Sequence, residues 1–235
     1  MSAGFYRAIN LFCKYVLLPP YSRIGVSGLE NVPADGPLVI VSNHLNDADP
    51  GIIATRLKRN VIFLAKIELF RVPILSQFMR AYGAIPVRRN EADLSALRRA
   101  AEALDSGHAV CVFPEGTRSA GEARLREAWP GAALIALRGD RTILPIAITG
   151  SQRLGLPHMF LKPLMPRYEV TLTIGKPFHL PKPARLNSEA ARQGTQVIME
   201  HIAALLPPSY RGYYGGAQSA GTKQQGTGNK EQEHE

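Results

Sequence analysis

The chain has 235 residues, of which 45% are hydrophobic and 20% charged, which is enough for one sizeable core and one domain. Its net charge of +9 predicts an anionic partner, namely nucleic acid, an anionic membrane surface or a phosphorylated substrate. The cations are spread along the chain and no nucleic-acid-binding motif is present, so a membrane or a phosphate is favoured over nucleic acid.

The sequence predicts neither a membrane-spanning helix nor a metal site. It contains no run of about 20 uncharged apolar residues, which is the length a transmembrane helix needs. The two cysteines, Cys13 and Cys111, are interpreted as buried reduced thiols, and no Cys and His residues have the spacing of metal ligands. We therefore expect no metal and no cofactor.

The N-terminal segment is predicted to be an amphipathic helix. Phe5, Ile9, Phe12 and Val16 recur at helical spacing, and the prolines at 19–20 end the pattern. Aromatic and aliphatic residues combined with two cations favour a helix that lies in a membrane interface, and the alternative is a helix that only packs on the domain.

Farther along the chain, short apolar segments alternate with segments of helical periodicity. Strands are predicted at 24–29, 37–41, 61–65, 83–89, 109–113, 142–149 and 168–174, and helices at 49–59, 68–79 with a break at Pro73, 93–104, 131–137 and 188–206. This alternation predicts a single α/β domain with a largely parallel or mixed central sheet flanked by helices. The expected organisation is the N-terminal helix in residues 1–20, the domain in 21–210 and a disordered tail in 215–235.

The segment 42–50 contains the first candidate catalytic residues. His44 follows the strand predicted at 37–41, and Asp49 follows His44 by five residues. Five residues correspond to about 140° of rotation on a helix, so a turn must bring the two side chains together. Asp49 and Pro50 are also a good helix start, which leaves open that Asp49 serves only as an N-cap.

Two further strand ends carry polar groups, Arg88–Arg89 and 115–118. Ligands of open α/β sheets bind at the carboxyl ends of the strands, so these groups are expected to converge with His44. A histidine oriented by a carboxylate can deprotonate a hydroxyl, and arginines can bind a phosphate by forked hydrogen bonds. Since Ser42 lacks the context of a nucleophilic serine, the substrate is expected to supply the hydroxyl.

Four segments, in this order, resemble the blocks of the glycerolipid acyltransferase family. They are Asn43-His44-x-x-x-x-Asp49, Gly83-Ala84-Ile85-Pro86-Val87-Arg88-Arg89, Phe113-Pro114-Glu115-Gly116-Thr117-Arg118-Ser119 and Ile143-Leu144-Pro145-Ile146-Ala147-Ile148. The resemblance covers residues 35–150, and it is greatest for the branch of the 1-acylglycerol-3-phosphate O-acyltransferases.

The resemblance implies a role for each block. His44 would be the general base and Asp49 its partner, although Asp47 also lies near. Residues Glu115, Gly116, Thr117 and Arg118, with Arg89, would bind the glycerol phosphate. Arg88 stands where the family usually has aspartate, so it is an additional cation in the second block. A carboxylate does not bind phosphate directly, so Glu115 is expected to orient Arg118 or the hydroxyl of the substrate.

The function implied is transfer of a fatty acyl group from acyl-CoA or acyl carrier protein to 1-acylglycerol 3-phosphate, with phosphatidic acid as the product. The alternatives are another lipid acceptor (glycerol 3-phosphate, a lysophospholipid or an amino-lipid), a thioester hydrolase, or a lipid-binding protein without catalytic activity. Residues 61–79 are the predicted lining for the acyl chain. The expected location is the cytoplasmic face of the cell membrane, as a peripheral or monotopic protein.

Overall fold

The computed structural model describes residues 3–88, 93–119, 121–154 and 167–215. Within these ranges the chain forms one seven-stranded sheet with the strand order β1-β7-β6-β2-β5-β3-β4. The strands are β1 (Ser22–Ser27), β2 (Leu38–Ser42), β3 (Val61–Lys66), β4 (Ile85–Val87), β5 (Ala109–Val112), β6 (Thr142–Thr149) and β7 (Tyr168–Ile174). All neighbouring strands are parallel except the antiparallel pair β6 and β7. The predicted α/β class with a mixed sheet is confirmed.

Helices cover both faces of the sheet. They are α1 (Ala3–Phe12), α2 (Asp49–Arg56), α3 (Pro73–Ala81), α4 (Leu94–Asp105), α5 (Gly131–Arg138) and α6 (Ser188–Leu205). A π-helical segment, Cys13–Leu17, continues α1, and short 3-10 turns occur at Leu29–Asn31, Ile67–Arg71, Ser151–Arg153, Pro208–Tyr210 and Gly212–Tyr214. The break predicted at Pro73 separates the turn Ile67–Arg71 from α3.

The central strand β2 is buried along its whole length, and its side chains divide the core into two layers. Val39 and Val41 belong to the layer formed with α4, α5 and α6, whereas Leu38 and Ile40 belong to the layer formed with α1 and α2. This division follows from the alternation of side chains across a strand. The sheet is therefore fixed from both sides, and its strand ends provide a rigid base for the site.

The helix α1 packs against the domain through one face only. The buried Tyr6 accepts a hydrogen bond from the Val61 main-chain N–H at 2.8 Å, and its ring stacks on Tyr82. On the other face, four large apolar side chains of α1 and the following π-helical segment are each more than half exposed to solvent, namely Leu11, Phe12, Tyr15 and Val16. No helix within the described part of the chain is long and apolar enough to cross a membrane.

Candidate functional site

His44 and Asp49 lie in contact at the carboxyl end of β2. The chain turns after Ser42 and enters α2 at Asp49, and this turn places His44 Nδ1 3.0 Å from Asp49 Oδ2. Both side chains are buried. Because Nδ1 donates its proton to the carboxylate, Nε2 is the atom of His44 that can accept a proton from a ligand.

The Asp49 carboxylate is fixed by main-chain donors as well as by His44. Its Oδ2 atom accepts hydrogen bonds from the amides of Leu45 and Asn46, both at 2.7 Å. The prediction that Asp49 is the N-cap of α2 is wrong, because Ala48 occupies the N-cap position and the bonds of Asp49 point back into the turn. The carboxylate therefore orients the imidazole from a position that does not depend on helix capping.

The turn that carries His44 is attached to β6 by Asn43. This buried side chain accepts a hydrogen bond from the Ile148 main-chain N–H and donates one to the Ile148 carbonyl, both at 2.8 Å. The amide of Asn43 thus continues the pairing of β2 and β6 beyond the last residue of β2. The ring of His44 also stacks on Phe113, with 4.2 Å between ring centroids.

Glu115 follows β5 and cross-links the two neighbouring strand ends. Its Oε1 atom accepts a hydrogen bond from the His44 main-chain N–H at 3.1 Å. Its Oε2 atom accepts bonds from Ser119 Oγ at 2.7 Å and from the Arg126 main-chain N–H at 2.9 Å. Burial raises the pKa of Glu115, and the hydrogen bonds that it accepts oppose this shift only in part. Glu115 therefore holds the main chain of His44, and its oxygens are occupied by protein donors.

The residues after Glu115 form a turn that ends at the solvent-exposed Arg118. Gly116 has a φ of +68° and donates its main-chain N–H to the Phe113 carbonyl at 3.0 Å, so this amide is engaged in the turn. Thr117 and Arg118 are exposed. Arg118 Nη1 lies 2.5 Å from Asp47 Oδ2, so the guanidinium is held beside the turn that contains His44 and Asp49.

Arg88 follows a strand that lies farther from β2 than the strand before Arg118 does. β4 is a short strand that ends at Val87, and the strand order places β3 between it and β5. His44 follows β2, so the order β2-β5-β3-β4 separates its turn from the end of β4 by three strand spacings, or about 14 Å. The main-chain N–H of Arg88 donates to Asp93 Oδ2 at 3.0 Å, and Arg89 lies outside the described residues.

The segment predicted to line the acyl chain, 61–79, has a buried beginning and a more exposed end. Val61, Ile62 and Phe63 are buried in the core, whereas Val72 is 51% exposed. The lining of the acyl chain by residues 61–79 stays a prediction. No group of His, Cys, Asp and Glu side chains in the described ranges could hold a metal ion.

Several contacts of the site were not predicted from the sequence, because their partners are distant in the chain or are main-chain atoms. Asp47 meets Arg118 across 71 residues, and Glu115 meets two main-chain amides. Ser119 Oγ donates to Glu115, and the Ser119 main-chain N–H donates to the His44 carbonyl at 2.9 Å. The spacing of Glu115 and Ser119 was visible in the sequence, but it does not identify the atoms that they bind.

Comparisons with known proteins agree on one family. Residues 23–149 match the family model described as Acyltransferase. A 1-acyl-sn-glycerol-3-phosphate acyltransferase of Bacillus subtilis is 29% identical over 192 residues, which cover 81% of this chain and 92% of that protein. The chloroplastic 1-acyl-sn-glycerol-3-phosphate acyltransferase LPAT1 of Arabidopsis thaliana is 31% identical over 79% of this chain and 52% of its own length.

A solved structure has the same fold. The 1-acyl-sn-glycerophosphate acyltransferase PlsC of Thermotoga maritima superposes with a TM-score of 0.64 and 25% sequence identity, over 85% of this chain and 78% of that one. The chain spans about half the length of the plant and algal relatives that it matches.

Proposed function

This chain belongs to the acyltransferase family, and we propose that it transfers a fatty acyl group from a thioester donor to the free hydroxyl of 1-acylglycerol 3-phosphate. The product would be phosphatidic acid. The observation that carries the proposal is the buried His44–Asp49 pair, which lies one strand away from the turn that presents Arg118. A base and a phosphate-binding cation at adjacent strand ends suit an acceptor that has both a hydroxyl and a phosphate. The names of the relatives support the same acceptor.

The proposed reaction is a direct transfer at His44. Nε2 takes the proton of the acceptor hydroxyl while the hydroxyl oxygen attacks the thioester carbonyl. The carbon–sulfur bond then breaks, and the new oxygen ester remains on the acceptor. The leaving thiolate takes the proton from His44, which returns the imidazole to its neutral form. Asp49 keeps the imidazole in the tautomer that this requires and stabilises its transient positive charge. No serine or cysteine of the enzyme carries the acyl group at any step.

The phosphate of the acceptor is proposed to bind at Arg118. Asp47 contacts one nitrogen of the guanidinium, and the Arg118 side chain is 47% exposed, so donors remain for a phosphate. Thr117 is exposed beside it, and Gly116 gives the turn its shape. Arg88 and Arg89 are proposed as a second cationic group for the acceptor. Glu115 is proposed to act on the His44 main chain instead of on the ligand.

The test is an acceptor panel. The purified protein is incubated with acyl-CoA or acyl carrier protein and with 1-acylglycerol 3-phosphate, glycerol 3-phosphate or a lysophospholipid, and the products are identified by mass spectrometry. We expect phosphatidic acid only with the first acceptor, and a loss of about 1,000-fold in His44→Ala. Consumption of thioester without an acylated lipid would instead indicate a hydrolase, and near-normal turnover by His44→Ala would refute the mechanism.

The phosphate role of Arg118 has its own test. Arg118→Ala should raise the KM for the acceptor and leave the KM for the donor unchanged. Arg153→Ala, which changes an exposed arginine of the turn after β6, serves as the matched control. An unchanged acceptor KM in Arg118→Ala would mean that the phosphate binds elsewhere.

The exposed apolar face of the N-terminal helix is proposed to rest on an anionic membrane surface at the cytoplasmic face. Leu11, Phe12, Tyr15 and Val16 form this face, and the net charge of +9 favours anionic lipid. An acceptor that carries an acyl chain is itself found in a bilayer, so docking would bring the site to its substrate.

Substitution of this face tests the docking without removing Tyr6 from the core. Phe12→Glu with Val16→Glu should abolish sedimentation with anionic liposomes and leave thermal unfolding unchanged. Leu94→Glu is the control, because Leu94 is an exposed apolar residue at the start of α4. Undiminished sedimentation of the double variant would show that this face does not dock.

A further inference from the structure

Trp129 is the single tryptophan of the chain, and its side chain is 52% exposed. It precedes Pro130, the N-cap of α5, and its main-chain N–H donates to the Pro114 carbonyl at 2.8 Å. The backbone of Trp129 is thus attached directly to the turn that contains Glu115 and Arg118. Because the indole is half exposed, packing in the core does not explain its presence at this position.

The edge of the indole lies against Gly116. A Cβ atom built on Gly116 would be 3.0 Å from Trp129 Cδ1 and 3.3 Å from Nε1, so a side chain at position 116 would require the indole to shift by a few tenths of an ångström. The indole N–H is on this side of the ring, and within the described ranges it has no hydrogen-bond partner. The ring therefore packs on the turn at Gly116, the residue that precedes Thr117 and Arg118 in the chain.

The segment that carries Trp129 is held by the C-terminal part of the domain. The Leu125 main-chain N–H donates to the Tyr210 carbonyl, and the Tyr213 N–H donates to the Leu125 carbonyl, both at 2.9 Å. The Ala128 main-chain N–H donates to the Tyr214 hydroxyl at 3.1 Å. These bonds fix the backbone that leads into Trp129, so the indole is presented from a supported segment.

We propose that Trp129 forms the apolar wall of the acceptor subsite and selects an acylated glycerol phosphate over the unacylated one. The proposal rests on the proposed function, in which the phosphate binds Arg118 and the free hydroxyl meets His44. A ligand held at these two points has its remaining ester and first methylene groups beside the site, and an indole offers them an apolar face together with one N–H donor. Glycerol 3-phosphate lacks these groups and gains nothing from the ring.

The size of the effect follows from the contact that is lost. Removal of one or a few methylene contacts in a hydrophobic subsite changes kcat/KM by about 10- to 200-fold. Trp129→Ala should therefore lower kcat/KM for a short-chain, monomeric 1-acylglycerol 3-phosphate by at least about 10-fold, mainly through the acceptor KM. Trp129→Phe, which keeps an aromatic face, should recover most of this loss. The donor KM should stay within about 2-fold in both variants.

Tryptophan fluorescence provides a test that needs no turnover. Because Trp129 is the only tryptophan, its emission in the wild-type protein should shift to shorter wavelength as the short-chain acceptor is added, and should not shift with glycerol 3-phosphate. If the wild-type protein acylates no acceptor in the acceptor panel, the proposed function fails. The fluorescence titration still decides whether Trp129 contacts the bound lipid.

Each of the following results would contradict the proposed role of Trp129. An acceptor KM that changes less than 3-fold in Trp129→Ala, or an emission spectrum that does not respond to the lipid, overturns the proposal. A fall in kcat with an unchanged acceptor KM would mean that the indole only supports the Gly116 turn. Loss of liposome sedimentation with full activity on the monomeric acceptor would mean that Trp129 is a membrane contact, and this also overturns the proposal.

Discussion

Replacement of Glu115 by glutamine tests whether a buried carboxylate holds the proposed base in place. The side chain accepts three hydrogen bonds, from the main-chain amides of His44 and Arg126 and from the Ser119 hydroxyl. Glutamine has the same shape, but only one of its two terminal atoms can accept. The hydroxyl of Ser119 can rotate to become an acceptor, whereas a main-chain N–H cannot.

In either orientation of the new amide, one main-chain N–H therefore faces a donor. A buried donor left without a partner costs about 1–3 kcal/mol, and the remaining bonds lose the assistance of the negative charge. Relief from burying that charge, which is what raises the pKa of Glu115, offsets part of this cost. We expect Glu115→Gln to lower the free energy of unfolding by about 2 kcal/mol.

Activity should fall together with stability, because the His44 main chain loses a fixed contact. A displacement of about 1 Å in a reacting group is enough to lower the rate about 100-fold, so a kcat reduced by 10- to 100-fold is expected. Urea unfolding and steady-state kinetics measure the two effects. Glu122→Gln, at an exposed position of the same loop, should change the free energy of unfolding by less than about 0.5 kcal/mol. Wild-type stability and kcat in Glu115→Gln would refute the reasoning.

The same carboxyl group predicts a pH dependence of stability. Its folded-state pKa lies above the ordinary value of 4.5, so between the two values the folded protein binds more protons than the unfolded chain. The contribution of Glu115 to stability is therefore complete below pH 4.5 and is lost as the pH rises through the folded-state pKa. The difference in unfolding free energy between wild type and Glu115→Gln should accordingly be largest at the acidic end of this interval.

Three further predictions concern the supports of the site. Asn43→Ala leaves the main-chain N–H and carbonyl of Ile148 without the amide that binds them, and it should lower the free energy of unfolding by about 3 kcal/mol. The N-cap variant Asn187→Ala is the control, which should lower it by about 1 kcal/mol in urea unfolding and leave kcat unchanged. Gly212→Ala would place a Cβ 2.2 Å from the Leu125 carbonyl oxygen, so it should lower the free energy of unfolding by several kcal/mol and also lower kcat. Gly36→Ala is the control, because Gly36 also has a positive φ but has open space around it, and it should cost only about 1 kcal/mol by thermal unfolding. Asp47→Ala should raise the acceptor KM about 2- to 5-fold, because it removes the exposed ion pair that positions Arg118. This increase should vanish in the Arg118→Ala background.

The proposed catalytic pair was predictable because its determinants are local. His44 and Asp49 lie in one turn, and the strand before them is recognisable as an apolar run. The alternation of strands and helices likewise predicted a largely parallel or mixed sheet. The strand order was not predictable in the same way, since it depends on long-range pairing, and it is the order that separates Arg88 from the His44 turn by three strand spacings.

The hydrogen-bond partners of Glu115 could not be inferred from the sequence, for a physical reason. Two of its three partners are main-chain amides, and a main-chain amide is present at nearly every residue, so no sequence pattern marks it. The N-cap of α2 was misassigned to Asp49 for a related reason. The preference of aspartate for N-caps is real, but here its oxygen binds amides upstream of the helix.

The two halves of the site differ in rigidity, and this difference follows from what holds each of them. His44 is fixed through its ring by Asp49, through its N–H by Glu115 and through its carbonyl by the Ser119 amide, and all of these groups are buried. Arg118 is exposed, and among the described residues only Asp47 holds its guanidinium. A base must be within hydrogen-bond reach of one proton, whereas a phosphate can be met by a guanidinium in several arrangements. In the proposed function, the buried contacts thus hold the imidazole that must not move, and the freedom lies at the guanidinium that would follow the ligand.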